Sequence, residues 1–492
     1  MMHRLGTALS VLALLSACGG GGNGSSGTAT TPPTSVTPTP APTPSPTASA
    51  GCSLRERQNF AGNIINEWYL FPETLPADRT PTEPTLDDYI DKLTANARAQ
   101  GKDRFFTYRT SIAEENAFAN SGATAGFGVR LTLEGQRLLI SEAFEGAPAL
   151  AAGIDRGTEI LAIGTTSANA RLVSEILTAE GPNGLNAALG PSNAGTTRFL
   201  RFRDAAGNTR EANVTKTDFD LAPVSSRYGA KIIDDGGKRV GYLNLRTFSI
   251  TTADPALRDA FAQFRADNVT EVIVDFRYNG GGLISIANLL GDLLGRDRAP
   301  SDVFSFMTFR PEKSANNTTR FFMPQPQSIA PTKIAFIGTR GSASASELVI
   351  NAFVPYLRNK VALIGTNTYG KPVGQSAFDL PACDDRLRVV TFAVQNAERN
   401  GAYYNGLAST VEATCQAGDD LTKPLGDAQE ASTRTALDFL AGRSCTPINP
   451  ATATADATAS SKSEFPAGGT IRRELLIPDR PNPTQREVPG AY

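Results

Sequence analysis

The spacing of apolar residues divides this 492-residue chain into three regions. At 51–120, apolar side chains recur at helical spacing, which predicts a small helical N-terminal domain. At 121–215, short apolar segments are separated by glycine-containing turns, which is typical of strands. At 216–445, continuous apolar runs alternate with amphipathic helical segments, which predicts a sheet covered on both faces.

The apolar runs of the third region are short enough to be single strands. They lie at 241–245, 271–277, 333–338 and 361–365, and an amphipathic segment near 254–266 is predicted to be a helix. Unbroken apolar strands need helices on both sides of their sheet. We therefore predict a multidomain α/β (α+β) fold.

The N-terminal segment has the pattern of an exported lipoprotein. Leu5–Leu15 is a mostly apolar run, too short to span a bilayer permanently, and it leads into Leu-Ser-Ala-Cys at 15–18. This resembles the bacterial lipobox, in which residues 1–17 are removed as a signal peptide and Cys18 is lipidated. An ordinary secretory signal with a chance cysteine is the alternative. Because Gly19 is not the aspartate of retained lipoproteins, we expect an outer-membrane lipoprotein of the cell envelope, facing the periplasm.

Segments of low complexity flank the folded part. Residues 18–50 consist largely of Gly, Thr, Pro, Ser and Ala, and 446–492 is again rich in Ala, Thr, Pro and Ser. Too few apolar side chains are present to offset the ordering entropy, so we predict a disordered tether and a mostly disordered or loosely docked tail. Within the tail, 474–477 is predicted to dock as a short strand.

The charge of the chain excludes one class of partner. The net charge is −2 and the basic residues are dispersed, which argues against nucleic acid. No second apolar run is long enough for a transmembrane helix, so the lipid anchor is the only membrane contact we expect.

Four cysteines follow the lipobox cysteine, and an even number in an exported protein predicts two disulfides. Three pairings are possible, of which we favour Cys383–Cys415 and Cys52–Cys445, the second joining the start of the folded part to its end. A zinc site is disfavoured, because no CxxC spacing occurs and the one histidine lies in the signal segment.

A serine and a lysine are the candidates for chemistry. The only histidine is His3, so a mature chain without it cannot use a Ser-His-Asp triad. Lysine is the plausible base for a serine nucleophile, because burial lowers its pKa and makes a neutral amine available. Lys371 lies between glycines in a poorly charged loop, and Gln375, four residues on, is placed to bind its amine.

Ser344 lies where the strand at 333–338 gives way to a helix that continues through Leu357. Unpaired N–H groups at a helix N-terminus favour the negative charge that develops when a serine attacks a carbonyl. The alternative is that Ser344 is only the helix N-cap, since Glu347 three residues later fits a capping box.

A run of glycines follows the strand at 271–277. Asn279 is followed by Gly280, Gly281 and Gly282, and consecutive glycines let backbone N–H groups face a ligand closely. Alone this favours a flexible turn, but together with the serine and the lysine it predicts an oxyanion hole.

A resemblance to PDZ domains covers the second region. Gly126, Phe127, Gly128 and Val129 form a Gly-x-Gly motif leading into a strand, and Gly-Ile-Asp-Arg-Gly-Thr-Glu-Ile-Leu-Ala-Ile follows at 153–163. PDZ domains add a peptide C-terminus as a strand to an open sheet edge. The resemblance implies that the four residues form the carboxylate-binding loop and that the partners are polypeptides with a free C-terminus.

Three motifs together resemble the C-terminal processing peptidases, also called tail-specific proteases. They lie at 274–282, 341–347 and 368–375, and their order after a PDZ-like region also agrees. The resemblance covers about 55–445. It implies a crotonase-like core of ββα repeats, preceded by the PDZ domain and the helical domain.

The motif match assigns roles to individual residues. Ser344 resembles the nucleophile, Lys371 the general base and Gln375 the residue that positions the lysine. A serine endopeptidase of this kind forms an acyl-enzyme and needs no metal or other cofactor.

The oxyanion hole is assigned by the same match to the backbone N–H of Ala345 with one from Gly281 or Gly282. The chain departs from the family pattern at two positions: Gly280 replaces the common proline of the turn, and Pro372 follows the lysine where glycine is frequent. These departures affect loop geometry and specificity more than the chemistry.

Other functions are compatible with parts of this pattern. A tethered protein on the same fold that binds peptides or other ligands without cutting them is the main alternative, followed by a PDZ scaffold and by an amidase or esterase. The sequence ends in Gly490-Ala491-Tyr492, which raises the hypothesis that the tail binds the PDZ groove of its own chain.

Overall fold

The computed structural model describes residues 51–449 and 473–492, which belong to one compact unit. The predicted signal peptide, Cys18, the tether and residues 450–472 of the tail lie outside the described residues. Over the two described ranges, no helix combines the length and apolar character needed to cross a bilayer.

The N-terminal region places two helices on a neighbouring sheet. Its elements are α1 (Leu54–Trp68), α2 (Leu86–Ala99), β1 (Tyr108–Ser111) and α3 (Ile112–Ser121). The helices form where helical spacing is predicted, and α1 begins at a capping box between Ser53 and Glu56. Their apolar faces, including Ile65 and Ile90, share one hydrophobic cluster with Val389 of the sheet that contains β1.

The second region is built around an antiparallel sheet, here called the small sheet. Its elements are β2 (Ala123–Gly126), β3 (Val129–Glu134), β4 (Arg137–Ala143), α4 (Pro148–Ala151), β5 (Glu159–Gly164), β6 (Arg171–Leu172), α5 (Val173–Leu189), β7 (Thr197–Arg203), β8 (Thr209–Thr215) and β9 (Thr217–Asp220). The strand order is β3-β4-β5-β7-β8, with β6 beside β5, while β2 and β9 form a separate ribbon. Helix α5 packs on this sheet, and β3 lies at its edge.

The third region contains the large sheet. Its elements are β10 (Ala230–Asp235), β11 (Lys238–Asn244), α6 (Ala253–Ala266), β12 (Glu271–Asp275), α7 (Ile284–Leu294), β13 (Val303–Phe309), β14 (Thr318–Phe321), β15 (Lys333–Gly338), α8 (Ala345–Leu357), β16 (Val361–Gly365), β17 (Val373–Leu380), β18 (Asp385–Gln395), β19 (Ala413–Gln416) and α9 (Ala431–Leu440). The large sheet has the order β10-β11-β12-β15-β16-β19, parallel except for β10.

Both faces of the large sheet are buried, as the continuous apolar runs predict. Val272 and Val274 of β12 belong to the hydrophobic cluster that contains α6, α7 and α8. Ile273, between them, belongs to the cluster with α9. Because successive side chains of a strand point to opposite faces, an all-apolar strand needs a helix layer on each side. The fold is thus mixed α/β, as expected.

An outer antiparallel sheet completes the third region. Its order is β1-β18-β13-β14, and β17 also pairs with β18. Since β17 begins at Val373, immediately after the loop that carries Lys371, this sheet fixes one side of the candidate site.

The favoured disulfide pairing is wrong, although all four cysteines are bonded. The pairs are Cys52–Cys383 and Cys415–Cys445, each with a Cα–Cα distance of 5.4 Å. Helix α1 packs against β18, so Cys52 arrives beside the turn between β17 and β18, where Cys383 lies. Arg57 reinforces this approach through two hydrogen bonds to the Asp385 carboxylate, at 2.5 and 2.7 Å.

The second pair closes a local loop. Cys415 is on β19, and the next residue, Gln416, donates its N–H to the Thr446 carbonyl at 2.7 Å. After α9 the chain therefore returns alongside β19, which brings Cys445 beside Cys415 and not beside the N-terminal cysteine.

The expectation of a loosely docked tail needs correction for residues 473–492, here called the C-terminal segment. It contains β20 (Arg473–Leu475), which pairs antiparallel with β3, and α10 (Pro483–Glu487). The strand overlaps the one predicted at 474–477. Leu476, Val488 and Tyr492 are buried in two hydrophobic clusters, so this part of the tail is packed like a core element.

Candidate active site

Ser344 lies at the junction between β15 and α8, as predicted, and its backbone is strained. Its φ of +55° lies in a region that costs a non-glycine residue about 1–3 kcal/mol and is concentrated at functional sites. The preceding loop is fixed by Ser342, whose Oγ donates to the Phe276 carbonyl at 2.7 Å. Ser344 is half-buried, whereas Ala345 behind it is buried.

Glu347 joins the two loops that carry the candidate serine and lysine. Its buried carboxylate accepts N–H groups from Ser344 at 3.0 Å, from Gly370 at 2.6 Å and from Lys371 at 2.7 Å. Burial raises the pKa of Glu347, while these hydrogen bonds and one from Thr368 oppose that rise. Sequence reasoning treated Glu347 only as a possible capping partner. Its contact with the lysine loop spans more than 20 residues and leaves no local signal.

The predicted hydrogen bond between Lys371 and Gln375 is present. The Lys371 amine donates to Gln375 Oε1 at 2.8 Å, and Gln375 Nε2 donates to the Phe106 carbonyl. Burial lowers the pKa of the Lys371 amine, and the Glu487 carboxylate opposes this shift. The arrangement holds an amine in place under conditions that favour its neutral form.

The glycine turn, residues 279–282, lies against the serine. A Cβ on Gly281 would stand 2.7 Å from Ser344 Cβ, and the φ of Gly281 is +115°, so this close approach requires glycine. The Asn279 carbonyl accepts the Ala343 N–H at 3.1 Å and the Ser346 hydroxyl at 3.0 Å. The turn and the serine loop are therefore bonded to each other.

The turn's N–H groups differ in their partners. The Gly281 N–H donates to the side chain of Asn279 at 3.0 Å, so it is already engaged. The Gly280 N–H, which sequence reasoning did not select, donates to the carbonyl of Glu487 in the C-terminal segment at 3.1 Å. That donor exists only because this chain has glycine and not proline at position 280.

The four residues of the predicted carboxylate loop also come together at one ligand, Tyr492. The N–H groups of Gly128 and Val129 donate to the Tyr492 main-chain oxygen at 2.8 and 3.2 Å. A Cβ on Gly126 would stand 2.8 Å from the Tyr492 carbonyl carbon, and the Phe127 side chain shares a hydrophobic cluster with the Tyr492 ring.

A buried arginine lies between this loop and the glycine turn. Arg130 donates to the Tyr278 carbonyl at 3.3 Å and also to the Pro489 carbonyl. Its charge is paired with Glu142 at 3.3 Å, and neither side chain is exposed. Burial lowers the pKa of Arg130, and the Glu142 carboxylate opposes the shift.

No metal centre is formed by the part of the chain that the structure describes, since no group of three or more His, Cys, Asp or Glu side chains is positioned to hold an ion there.

Ser344, the half-buried Lys371 and the glycine turn are thus joined into one site through Glu347 and Asn279. Residues 239–412 match the model of peptidase family S41. They include all three motifs on which the sequence resemblance rests, so that resemblance is confirmed for this segment.

The chain is also similar to proteins named as C-terminal processing peptidases. The chain is 26% identical over 281 residues to the chloroplastic C-terminal processing peptidase of Tetradesmus obliquus, covering 53% of this chain and 54% of that protein. It is 23% identical over 334 residues to the carboxy-terminal processing protease CtpB of Bacillus subtilis, covering 66% and 60%. The chain thus spans between half and two thirds of the length of these relatives.

A solved structure supports the fold. A Bacteroides fragilis protein assigned to the S41 proteases superimposes with a TM-score of 0.59 at 22% identity, covering 78% of this chain and 97% of the other. At this identity the likeness concerns the fold alone.

Proposed function

We propose that the protein is a serine endopeptidase that cleaves polypeptides recognised by their C-terminal tail. Ser344 is its nucleophile, Lys371 its general base and Gln375 the residue that positions the base. The small sheet with α5 acts as a PDZ domain, and the large sheet with its helices acts as a crotonase-like peptidase core.

One observation carries this proposal: Glu347 holds the backbone of Ser344 and of Lys371 through the same carboxylate, while burial favours the neutral lysine amine. A surface lysine would be protonated at neutral pH and useless as a base. A half-buried lysine whose amine is bonded to Gln375, in a loop that shares Glu347 with a strained serine, is suited to act as the base of that serine.

The reaction follows from these positions. Neutral Lys371 removes the hydroxyl proton as Ser344 Oγ attacks the scissile carbonyl, and the protonated amine then returns that proton to the leaving amino group. The acyl-enzyme is released by water, activated by the same lysine. We assign the oxyanion to the N–H of Ala345, which as the first helical residue has no intrahelical acceptor, together with an N–H of the glycine turn.

Substrate delivery uses the edge of the small sheet. The edge of β3 that faces away from β4 is paired only with the C-terminal segment in the part of the chain that the structure describes, and the N–H groups of Gly128 and Val129 converge on one main-chain oxygen. This geometry suits a peptide added as a strand with its carboxylate in the loop. Lipidation at Cys18 and the tether at 18–50 would hold this peptidase at the outer membrane, facing the periplasm.

The test is degradation of an unfolded model protein by the purified protein and by Ser344→Ala and Lys371→Ala. We expect both variants to fold and to lose at least about 10³-fold in turnover, as for loss of either member of a nucleophile–base pair. Lys360→Ala, at an exposed position, is the control and keeps full activity. If wild type and all variants behave alike, the protein is a tethered peptide-binding protein on this fold.

A further inference from the structure

The C-terminal segment occupies the edge strand that a substrate would use. Leu476 donates its N–H to the Leu131 carbonyl at 3.0 Å, and Leu131 donates its own N–H to the Gly490 carbonyl at 2.8 Å. The segment thus leaves β3 after β20 and returns to the same edge near its end. Between these two contacts it passes through α10.

The last three residues bind as a peptide would. Tyr492 exchanges two hydrogen bonds with Val129, its N–H donating at 2.9 Å and its oxygen accepting at 3.2 Å. Ala491 pairs antiparallel with Arg130. Main-chain pairing of this kind gives affinity to any strand, so the side chains must supply selectivity.

The pocket that holds the Tyr492 side chain is large enough for an aromatic ring and has a polar group at its far end. Only 8% of Tyr492 is exposed, and its ring shares a hydrophobic cluster with Leu185 and Leu189 of α5. Its hydroxyl donates to Asn186 Oδ1 on the same helix. Asn186 is half-buried, and an acceptor shielded from water that loses its donor is unfavourable, so a tail ending in a smaller or purely apolar residue fits less well.

The same segment covers the glycine turn. The Glu487 carbonyl accepts the Gly280 N–H, and a Cβ at Gly280 would stand 2.6 Å from the Arg486 carbonyl. Arg486 stacks over the Tyr108 ring at 3.5 Å, and Thr484 donates its hydroxyl to Thr124 at 2.8 Å. The charges of the segment act on the Lys371 amine in opposite directions, since the Glu487 carboxylate raises its pKa and the Arg486 guanidinium lowers it.

Resting on the proposed peptidase function, we propose that the C-terminal segment is an internal ligand that closes the site, and that the groove between β3 and α5 selects polypeptide tails ending in tyrosine, which displace it. A segment tethered in the same chain competes at an effective concentration of the order of mM. Only polypeptide tails that bind this pocket well displace the C-terminal segment and open the active site.

The first experiment measures peptide binding without turnover, in the Ser344→Ala protein. The probe is a fluorescein-labelled peptide ending in Val-Pro-Gly-Ala-Tyr with a free carboxylate, followed by anisotropy. Adding the substitution Tyr492→Ala is expected to increase the affinity for the labelled peptide at least tenfold, because it weakens the binding of the competing C-terminal segment. Adding Ile477→Ser, at a position of the segment that is 43% exposed, is the control and leaves affinity unchanged. Equal affinity in all three proteins would overturn the internal ligand.

Selectivity is measured on the Ser344→Ala/Tyr492→Ala protein with peptides ending in Tyr, Phe or Ala. We expect the peptide ending in Tyr to bind up to about tenfold more tightly than the peptide ending in Phe, which is the contribution of one hydrogen bond. Its advantage in affinity over the peptide ending in Ala should be larger. Asn186→Leu is expected to abolish the Tyr-over-Phe preference while retaining the discrimination against Ala. Equal binding of Tyr- and Ala-ended peptides would overturn the selectivity. If the Ser344→Ala/Tyr492→Ala protein misfolds, the three peptides are compared instead on the Ser344→Ala protein, at higher peptide concentration. That comparison then decides whether the groove selects tyrosine.

Turnover separates this inference from the function on which it rests. With Ser344 present, Tyr492→Ala is expected to degrade an unfolded protein at least several-fold faster at sub-saturating concentration. Tighter peptide binding without turnover in any protein would refute the peptidase and leave the internal ligand standing. Turnover that is unchanged by Tyr492→Ala, with unchanged peptide affinity, would refute the internal ligand and leave the peptidase standing.

Discussion

The candidate active site and the groove are both contacted by the C-terminal segment, but they are held together in different ways. Around Ser344 the loops are bonded to each other through Glu347 and Asn279, independently of the segment. In the groove, the edge of β3 makes its outer main-chain bonds to the segment itself. The candidate active site is therefore preorganised, whereas the groove is built to exchange one strand for another.

This difference locates control of the protein in the groove. Preorganised donors and a fixed base cost no reorganisation when substrate arrives, so the reacting loops themselves need no rearrangement once the segment is displaced. An edge strand that is satisfied by an internal segment must lose that segment before it pairs with another. Changes at the active site should accordingly alter turnover without altering peptide affinity.

The largest expected effect is that of pH on turnover. In the proposed mechanism the neutral Lys371 amine is the active form, and because burial lowers the pKa of this amine, turnover should rise with pH at values below the ordinary lysine pKa of 10.5. Below the pKa in the folded protein, the rate falls about tenfold per pH unit. The measurement is the single-turnover rate from pH 5 to 10, with peptide affinity followed in parallel in the Ser344→Ala protein.

The peptide affinity measured over the same pH range should not change in parallel with the single-turnover rate. A rate profile that is flat through the neutral and alkaline range would argue against a lysine base. An affinity profile with the same rising limb as the rate would show that the two regions are not separate.

Glu347→Gln should have the next largest effect. Gln keeps the size of the side chain but removes the charge that accepts the N–H groups of Ser344 and Lys371. We expect kcat to fall about 10- to 100-fold with KM nearly unchanged, since the change displaces the reacting groups and not the peptide. The free energy of unfolding should fall by about 1–3 kcal/mol, the cost of an imperfectly satisfied buried group.

Glu312→Gln, at an exposed position, is the matched control and should change neither quantity. If Glu347→Gln weakens peptide binding as much as it lowers kcat, Glu347 acts on the groove, and the separation of the two regions fails.

The parts that sequence predicts well are those that local chemistry encodes. Four strands of the large sheet, β11, β12, β15 and β16, contain the continuous apolar runs that predict them, and burial on both faces follows from residues such as Val272 and Ile273. The bond between Lys371 and Gln375 follows from their four-residue spacing. Ser344 is found because a strand-to-helix junction is readable in the pattern.

The parts that sequence does not predict depend on distant segments. The contact of Glu347 with Lys371 and the pairing of Cys52 with Cys383 are set by how separate elements pack. Of the C-terminal segment, the strand near 474–477 is predicted and binding of its last three residues to the groove is raised as a hypothesis, but α10 is not predicted, because the composition of 446–492 is dominated by small and polar residues. The few apolar residues that pack the rest of the segment against the protein, such as Val488 and Ala491, are separated from each other along the sequence.

The smallest expected effect belongs to the groove alone and concerns Lys216. This buried lysine donates to the carbonyls of Gly190 and Pro191 at 2.9 and 3.0 Å and lies over the Phe127 ring at 4.8 Å. Burial, aided by the Arg198 charge, lowers the pKa of Lys216 to about 8. In the unfolded chain the pKa is about 10.4, so folding carries an unfavourable contribution that is fully present below pH 8 and is relieved as the pH rises toward 10.4.

Comparison with Lys216→Met isolates this contribution. From pH 7.5 to 9.5, the free energy of unfolding of the wild type should rise relative to the variant by about 2 kcal/mol, measured by denaturant titration. Lys360→Met, at an exposed position, should follow the wild type at every pH. Curves for Lys216→Met and wild type that stay parallel would mean that the lysine is solvated. Since Lys216 lies beside Phe127 and not beside Lys371, the variant should leave turnover of a saturating substrate unchanged, which again separates the groove from the active site.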